Sequence, residues 1–347
     1  MTVRLADLTT LRVGGQATCY RAALTTDAVI DAVSAADAAG DQLLILGGGS
    51  NLLVGDHGLA GTVVHIRSRG VDLESSDACS GATVRVAAGE TWDDLVAVAV
   101  RAGWSGIEAL SGIPGSTGAT PVQNVGAYGQ EVAETIASVR TWDRLRNRVT
   151  TLAAAECEFG YRHSRFKAER FRGGPRFVVL EVTFQFRLSE LSAPVRYAEL
   201  ARALGVEVGQ RSELGRVREA VLALRRGKGM VLDPGDHDTW SAGSFFTNPI
   251  LDEQAAAVLP DEAPRWPAGP DGVKVSAAWL IEHAGFGKGY GLPGAASLST
   301  KHTLALTNRG PATAQDVLDL ARRVRDGVRE VYGVTLVPEP VLVGCAL

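Results

Sequence analysis

Ser111-Gly112-Ile113-Pro114-Gly115-Ser116-Thr117-Gly118-Ala119-Thr120-Pro121-Val122-Gln123-Asn124-Val125-Gly126-Ala127-Tyr128-Gly129 carries five glycines and no charged side chain. Glycine tolerates positive φ and lets another group approach the backbone closely. Successive turn amides can then form a concave nest for an anion. One such run reads equally well as an ordinary turn. A second, Gly47-Gly48-Gly49-Ser50-Asn51, follows the apolar run Leu43-Leu44-Ile45-Leu46, and two in one chain point to a bound diphosphate. The first loop lacks the third glycine of G-x-G-x-x-G, and no Lys-Ser or Lys-Thr follows it as in a P-loop. Gly112, Gly115 and Gly118 recur every third residue, which fits neither pattern. A diphosphate cofactor outside the usual dinucleotide and triphosphate folds is expected.

At 347 residues the chain has room for two or three domains. The net charge of −4 argues against a general nucleic-acid binder, which would show a basic stripe. Cys19, Cys79, Cys157 and Cys345 form no C-x-x-C pair, so free, mostly buried thiols in a reducing compartment are expected. The six histidines show no metal-ligand spacing, and no structural metal is expected. The sequence MTVRLADLTT has no apolar leader core, and no stretch approaches the ~18 apolar residues of a membrane span. A cytoplasmic protein without membrane insertion is expected.

Apolar spacing predicts a helix over Thr26 to Ala39, ended by Gly40, and buried strands at Leu43 to Leu46 and Thr62 to Ile66. Thr83 to Ala88 reads as a strand, and Thr91-Trp92-Asp93-Asp94 as a capping arrangement for the helix that follows. Further strands are expected at Ile136 to Trp142, Arg148 to Leu152 and Arg176 to Leu188, the last with Val178, Leu180, Val182, Phe184, Phe186 and Leu188 facing the core. A helix carrying Val217, Val221 and Leu224 ends in Arg225, Arg226 and Lys228. The Pro-rich patch 260–270 reads as a surface loop. Helices near Ala277 to His283 and Thr313 to Tyr332 follow, the latter with Val317, Leu320, Val324, Val328 and Val331 inward and Gly333 as its cap. Thr335 to Gly344 reads as a final strand.

Three residues stand out as chemistry. Arg162, in FGYRHSRFK, is either part of a solvated basic turn or a planar donor for a substrate carboxylate. Ser244, in SAGSFFTNP, lies among small residues and two phenylalanines able to seal a dry pocket. Glu339, in LVPEPVLVG, is a carboxylate in an apolar strand, which needs a partner or a raised pKa. Arg225, Arg226 and Lys228 are either cations at a helix C-terminus or a phosphate site.

The segments LGGGSNLLV, SGIPGSTGATPVQNVGAYGQE, FGYRHSRF, LRRGKG, SAGSFFTNP, STKHTLALTN and PEPVLVG, in this order along nearly the whole chain, resemble the UDP-N-acetylenolpyruvoylglucosamine reductases of bacterial cell-wall synthesis. The resemblance implies an α+β fold: a two-subdomain FAD-binding unit of the vanillyl-alcohol-oxidase kind, plus a C-terminal α/β substrate-binding domain. It divides the chain into flavin subdomains 1–68 and 69–228, the second completed by a C-terminal strand within 334–347, and a substrate domain 229–333. It implies dissociable FAD, because Leu43 to Val54 holds no histidine for covalent attachment, with NADPH as reductant and a monomeric enzyme.

The cofactor residues it implies are Gly47, Gly48, Gly49, Ser50, Asn51, Ser111, Gly112, Ile113, Pro114, Gly115, Gly118, Ala119, Gln123, Asn124, Gly126, Ala127 and Tyr128. Hydride would pass from flavin N5 to C3 of the enolpyruvyl ether, and Ser244 would supply the proton to C2. Arg162 and Glu339 would face the carboxylate. Tyr161, Tyr197, Arg225, Lys228, Asn248 and His283 would bind the rest of the substrate, Tyr197 in PVRYAEL marking the type I branch. His283 departs from the glutamine some members carry. Other readings are a sugar or lactone oxidase of the same fold and a nucleotide-binding protein without catalysis.

Overall fold

The computed structural model describes residues 3–269 and 272–347; Met1, Thr2, Pro270 and Asp271, including the end of the Pro-rich patch, lie outside the described residues. The chain divides into two compact units. One comprises residues 17–49 and 60–227; the other comprises 3–16, 50–59 and 228–347.

In the first unit, Thr25 caps the helix Thr26–Ala39 by accepting the Ala28 amide. Gly40, at φ 74°, ends it in the left-handed conformation that glycine adopts without strain. Strand Gln42–Leu46 pairs in parallel with Leu59–Ile66, setting Leu46 opposite His65. A larger sheet runs in the order Arg148–Ala153, Ile136–Asp143, Phe177–Leu188, Gly81–Ala87, Val71–Asp77. Alternation on its long strand behaves as expected from Val178 to Phe186. Phe177 and Val179 are also buried, however, and Leu188 is 39% exposed. The strand is thus covered on both faces at its start and bare at its end.

Helix Trp92–Arg101 buries Trp92, Leu95, Val96 and Ala99 on that sheet. The expected capping bond is absent: Thr91 makes no side-chain cap. Its hydroxyl takes Arg69 instead, and Asp93 takes the Gly112 amide at 2.6 Å and both Arg218 guanidinium nitrogens at 2.6 and 2.9 Å. A charged donor outcompetes the neutral local amide.

In the second unit the amphipathic helix Ala314–Tyr332 begins with a Thr313–Asp316 capping box and ends at Gly333. It buries Val317, Leu320, Val324 and Val328, whereas Val331 is 55% exposed, because the last turn has rotated off the core. Hairpin Ala296–Leu298 with Leu306–Asn308 and helix Ala277–His283 complete its packing. The final strand is only Val341–Val343. Pro338 and Pro340 have no N–H for a ladder and cut it short. It pairs in parallel with Leu52–Val54 and so lies in the second unit, not with the sheet of residues 69–228. Within the Pro-rich patch, Arg265–Pro267 is an edge strand on Val273–Val275, where Pro267 is tolerated.

The four cysteines are unbridged. Only Cys157 is buried, and burial pushes its thiol up to about 12. Among the described residues, no helix is long and apolar enough to cross a membrane.

Candidate functional site

The two glycine loops meet at backbone distance within the first unit. A Cβ on Gly48 would lie 2.6 Å from the Gly115 Cα and 3.2 Å from the Ser116 nitrogen, and one on Gly47 would strike the Ser116 hydroxyl. The absence of side chains is therefore what lets the loops approach. Gly49, Gly112 and Gly115 have φ of 64°, 71° and 130°. The second loop is pinned to the larger sheet by Gly118 N–H on the Ala88 carbonyl and Thr117 N–H on the Glu90 carbonyl, both 2.8 Å.

Ser111 is fully buried and donates to the Glu108 carbonyl. Ile113, Pro114 and Gln123 are half-buried, and Ala119 is exposed. Ala127 and Gln130 close a two-residue hairpin in which Tyr128 and Gly129 both have positive φ, the geometry of a type I′ turn.

The Thr117 hydroxyl is buried and has no hydrogen-bond partner among the described residues, a condition that is costly unless a ligand accepts it. A phosphate oxygen would be a suitable acceptor for that donor. His65 adds a neighbour that local sequence did not flag. Tyr20 Oη lies 2.8 Å from its Nδ1. Burial, then Arg67, holds its pKa below the ordinary histidine value.

Arg162 is joined to the second loop. Gly160 and His163 exchange N–H···O bonds of 3.1 and 3.2 Å around Tyr161 and Arg162. Arg162 sits at φ 52°, where a long side chain is strained. Its Nη2 donates to the Gly126 carbonyl at 3.1 Å, and its guanidinium lies 5.4 Å from the Tyr161 ring centre. Asn124 clamps the same turn: its Nδ2 donates to the Gly160 carbonyl and to Glu131, and its Oδ1 accepts the Ala133 amide. That side chain is occupied inside the protein.

Helix Leu214–Gly227 packs on helix Ala198–Leu204 around Leu200, Leu204, Val217 and Val221. Tyr128 and Tyr197 meet edge to face at 5.7 Å. Burial lowers the Arg225 guanidinium to about 10, against the attraction of Tyr128 and Asp93. Burial raises the Tyr128 phenol to about 12, against the pull of Arg225. Tyr197 is also raised by burial, yet is 46% exposed.

The second unit holds Ser244 and Glu339 on adjacent backbones. The Glu339 N–H donates to the Phe245 carbonyl at 2.8 Å, and the Thr247 N–H to the Val337 carbonyl at 3.1 Å. Phe245 and Phe246 are buried, while Ser244 and Glu339 are half-buried. Asn51 Nδ2 donates to the Glu339 carbonyl at 3.3 Å. Asn248 Oδ1 accepts the Ala277 amide at 2.9 Å, at the start of helix Ala277–His283. His283 is exposed, stacked on Trp279 at 3.9 Å. Ser50 and Lys228, half-buried, also belong to this unit.

Residues 17–150 match the family described as "FAD binding domain", and residues 233–343 match "UDP-N-acetylenolpyruvoylglucosamine reductase, C-terminal domain". Fold and loops together define an FAD-dependent oxidoreductase, in the flavin-domain plus C-terminal-domain arrangement expected from the sequence. The chain is 57% identical over 347 residues to the UDP-N-acetylenolpyruvoylglucosamine reductase of Cutibacterium acnes, covering 99% of this chain and 90% of that one. It is 58% identical to that of Streptomyces coelicolor, with the same coverage. The crystal structure of the Thermus caldophilus reductase superposes with a TM-score of 0.66 at 26% identity, covering 99% of this chain and 98% of that chain. The chain belongs to the UDP-N-acetylenolpyruvoylglucosamine reductase family.

Proposed function

We propose that this chain reduces the enolpyruvyl ether of UDP-N-acetylglucosamine enolpyruvate to UDP-N-acetylmuramate with electrons from NADPH. FAD, when bound, would supply the hydride-transfer chemistry linking NADPH to C3 of the vinyl group. Gly47 to Gly49 and Ser111 to Tyr128 hold it without a covalent bond. Negative charge then develops at C2 and in the adjoining carboxylate. Arg162 stabilises that charge electrostatically, and Glu339, if protonated, adds a hydrogen bond to the same carboxylate. Ser244 Oγ donates its proton to C2 as general acid. Tyr161, Tyr197, Arg225, Lys228, the Nδ2 of Asn248, and His283 engage the sugar diphosphate and its surroundings, so that remote binding orients the reacting carbon. Residues 229–333 form the main substrate-binding segment, and one chain suffices for turnover.

The observation that carries this reading is the bond from Glu339 N–H to the Phe245 carbonyl, which lays the backbone segments bearing Ser244 and Glu339 next to one another. Ser244→Ala tests it under anaerobic stopped flow. NADPH should still bleach the flavin, while reoxidation by the enolpyruvyl sugar nucleotide slows roughly 10²–10⁴-fold. Two fast half-reactions would remove Ser244 from the mechanism.

A further inference from the structure

Glu339 stands between Pro338 and Pro340, so neither neighbour has an N–H to pair. The amide of Glu339 is the one N–H in this Pro-Glu-Pro run. The amide is held by the Phe245 carbonyl. The carbonyl faces a gap, because regular pairing with Leu52–Val54 starts only at Val341. The donor that reaches it is a side chain, Asn51 Nδ2 at 3.3 Å. Asn51 also accepts the Val341 N–H through its own carbonyl at 3.0 Å. One residue therefore brackets the Pro340 interruption, bonding the chain just before and just after it.

We propose that Asn51 is the positioning residue of Glu339, its side-chain amide supplying a donor to the carbonyl just ahead of where the regular ladder with Leu52–Val54 begins. Sequence alone assigns Asn51 to the flavin through its place at the end of the first glycine loop. Its side-chain amide and its carbonyl also tie it to the carboxyl-bearing turn, at Glu339 and Val341. The peptide group before Glu339 is held by its N–H and the one after by its C=O, so rotation about φ or ψ of Glu339 would break a bond and the direction of its side chain is restrained. The inference rests on the catalytic role proposed for Glu339 and deepens it.

Asn51→Asp is the sharpest probe. It is nearly isosteric, and either carboxylate oxygen would oppose the Glu339 carbonyl where a donor had been. Misplacing a reacting group by about 1 Å can cost ~100-fold. Reoxidation of the reduced flavin by the enolpyruvyl sugar nucleotide should therefore slow about ten- to a hundredfold more than reduction by NADPH. In the resting holoprotein, hydrogen exchange across residues 337–341 should quicken, a readout independent of turnover. Asn51→Ala, which removes the donor without adding charge, should act in the same direction. On a Glu339→Gln background, Asn51→Asp should add little further loss, as expected for two residues working as a unit.

Equal slowing of both half-reactions, with unchanged exchange at 337–341, would overturn the assignment and leave Asn51 serving the flavin loop alone. So would additive losses in the double variant. Full-speed reoxidation in Glu339→Gln would instead remove the role of Glu339 itself, a failure separate from a slow Glu339→Gln paired with an indifferent Asn51→Asp.

Discussion

Asp238 is a carboxylate with 6% side-chain exposure, surrounded by the Thr300 amide at 2.9 Å, the Thr300 hydroxyl at 2.5 Å and Arg309 at 2.7 Å. Burial works against its charge, but the Thr300 bonds and Arg309 outweigh it and hold the pKa below the ordinary 3.8. A depressed folded-state pKa means that this group's stabilisation is fully present above the unfolded value. It is lost as pH falls through the folded one. Asp238→Asn should cost about 1–3 kcal/mol near neutrality and shallow the acid side of a plot of urea midpoint against pH. Parallel acid limbs for the two proteins would refute it. Other residues divide by how local their meaning is. Arg162, Ser244 and Glu339 sit in short strings whose neighbours already suggest chemistry. His65 and Asp93 do not, because what matters about each is a partner far along the chain: Tyr20 and Arg218.

Elements were readable where one periodicity dominates. Helix Thr26–Ala39 and the middle of strand Phe177–Leu188 follow their apolar spacing. Ends were not: Val331 and Leu188 continue the pattern in sequence after the neighbouring surface has run out. The final strand looked long because its residues are apolar, yet two prolines remove the donors a ladder needs. Glycine loops are elements too, and their composition foretold close approach without telling what approaches. The partner of Gly48 is Gly115. Gly48→Ala should drive a methyl into that backbone, forcing the second loop outward at an overpacking cost of about 1–3 kcal/mol. The purified variant should be paler, with FAD lost on dilution, as the fluorescence of released flavin would report. Retention of flavin equal to the parent would show that the loops can separate without disturbing the cradle.

At the scale of the molecule, the least legible feature is how the second unit is assembled from three stretches of chain. Residues 229–333 read in the sequence as a separate substrate domain, and the family match covers 233–343. Their core nevertheless includes Leu11, Val13 and Leu53, at 0%, 2% and 0% exposure. Strand Val341–Val343 has Leu52–Val54 as its partner. The helix Ala314–Tyr332 has two of its first amides taken by Asp56, at 2.8 and 3.1 Å, bonds of the kind that stabilise a helix start by about 1 kcal/mol. Burying three such apolar side chains is worth roughly 1.5–3 kcal/mol each, comparable to the whole net stability of a small domain. An excised fragment of residues 228–347 should therefore lack a fixed fold. Its far-UV spectrum should keep some helix, its amide proton signals should be poorly dispersed, and it should bind a hydrophobic dye. Adding peptides spanning 3–16 and 50–59 should restore dispersion. A fragment that melts cooperatively by itself would show that these borrowed segments decorate the core rather than complete it.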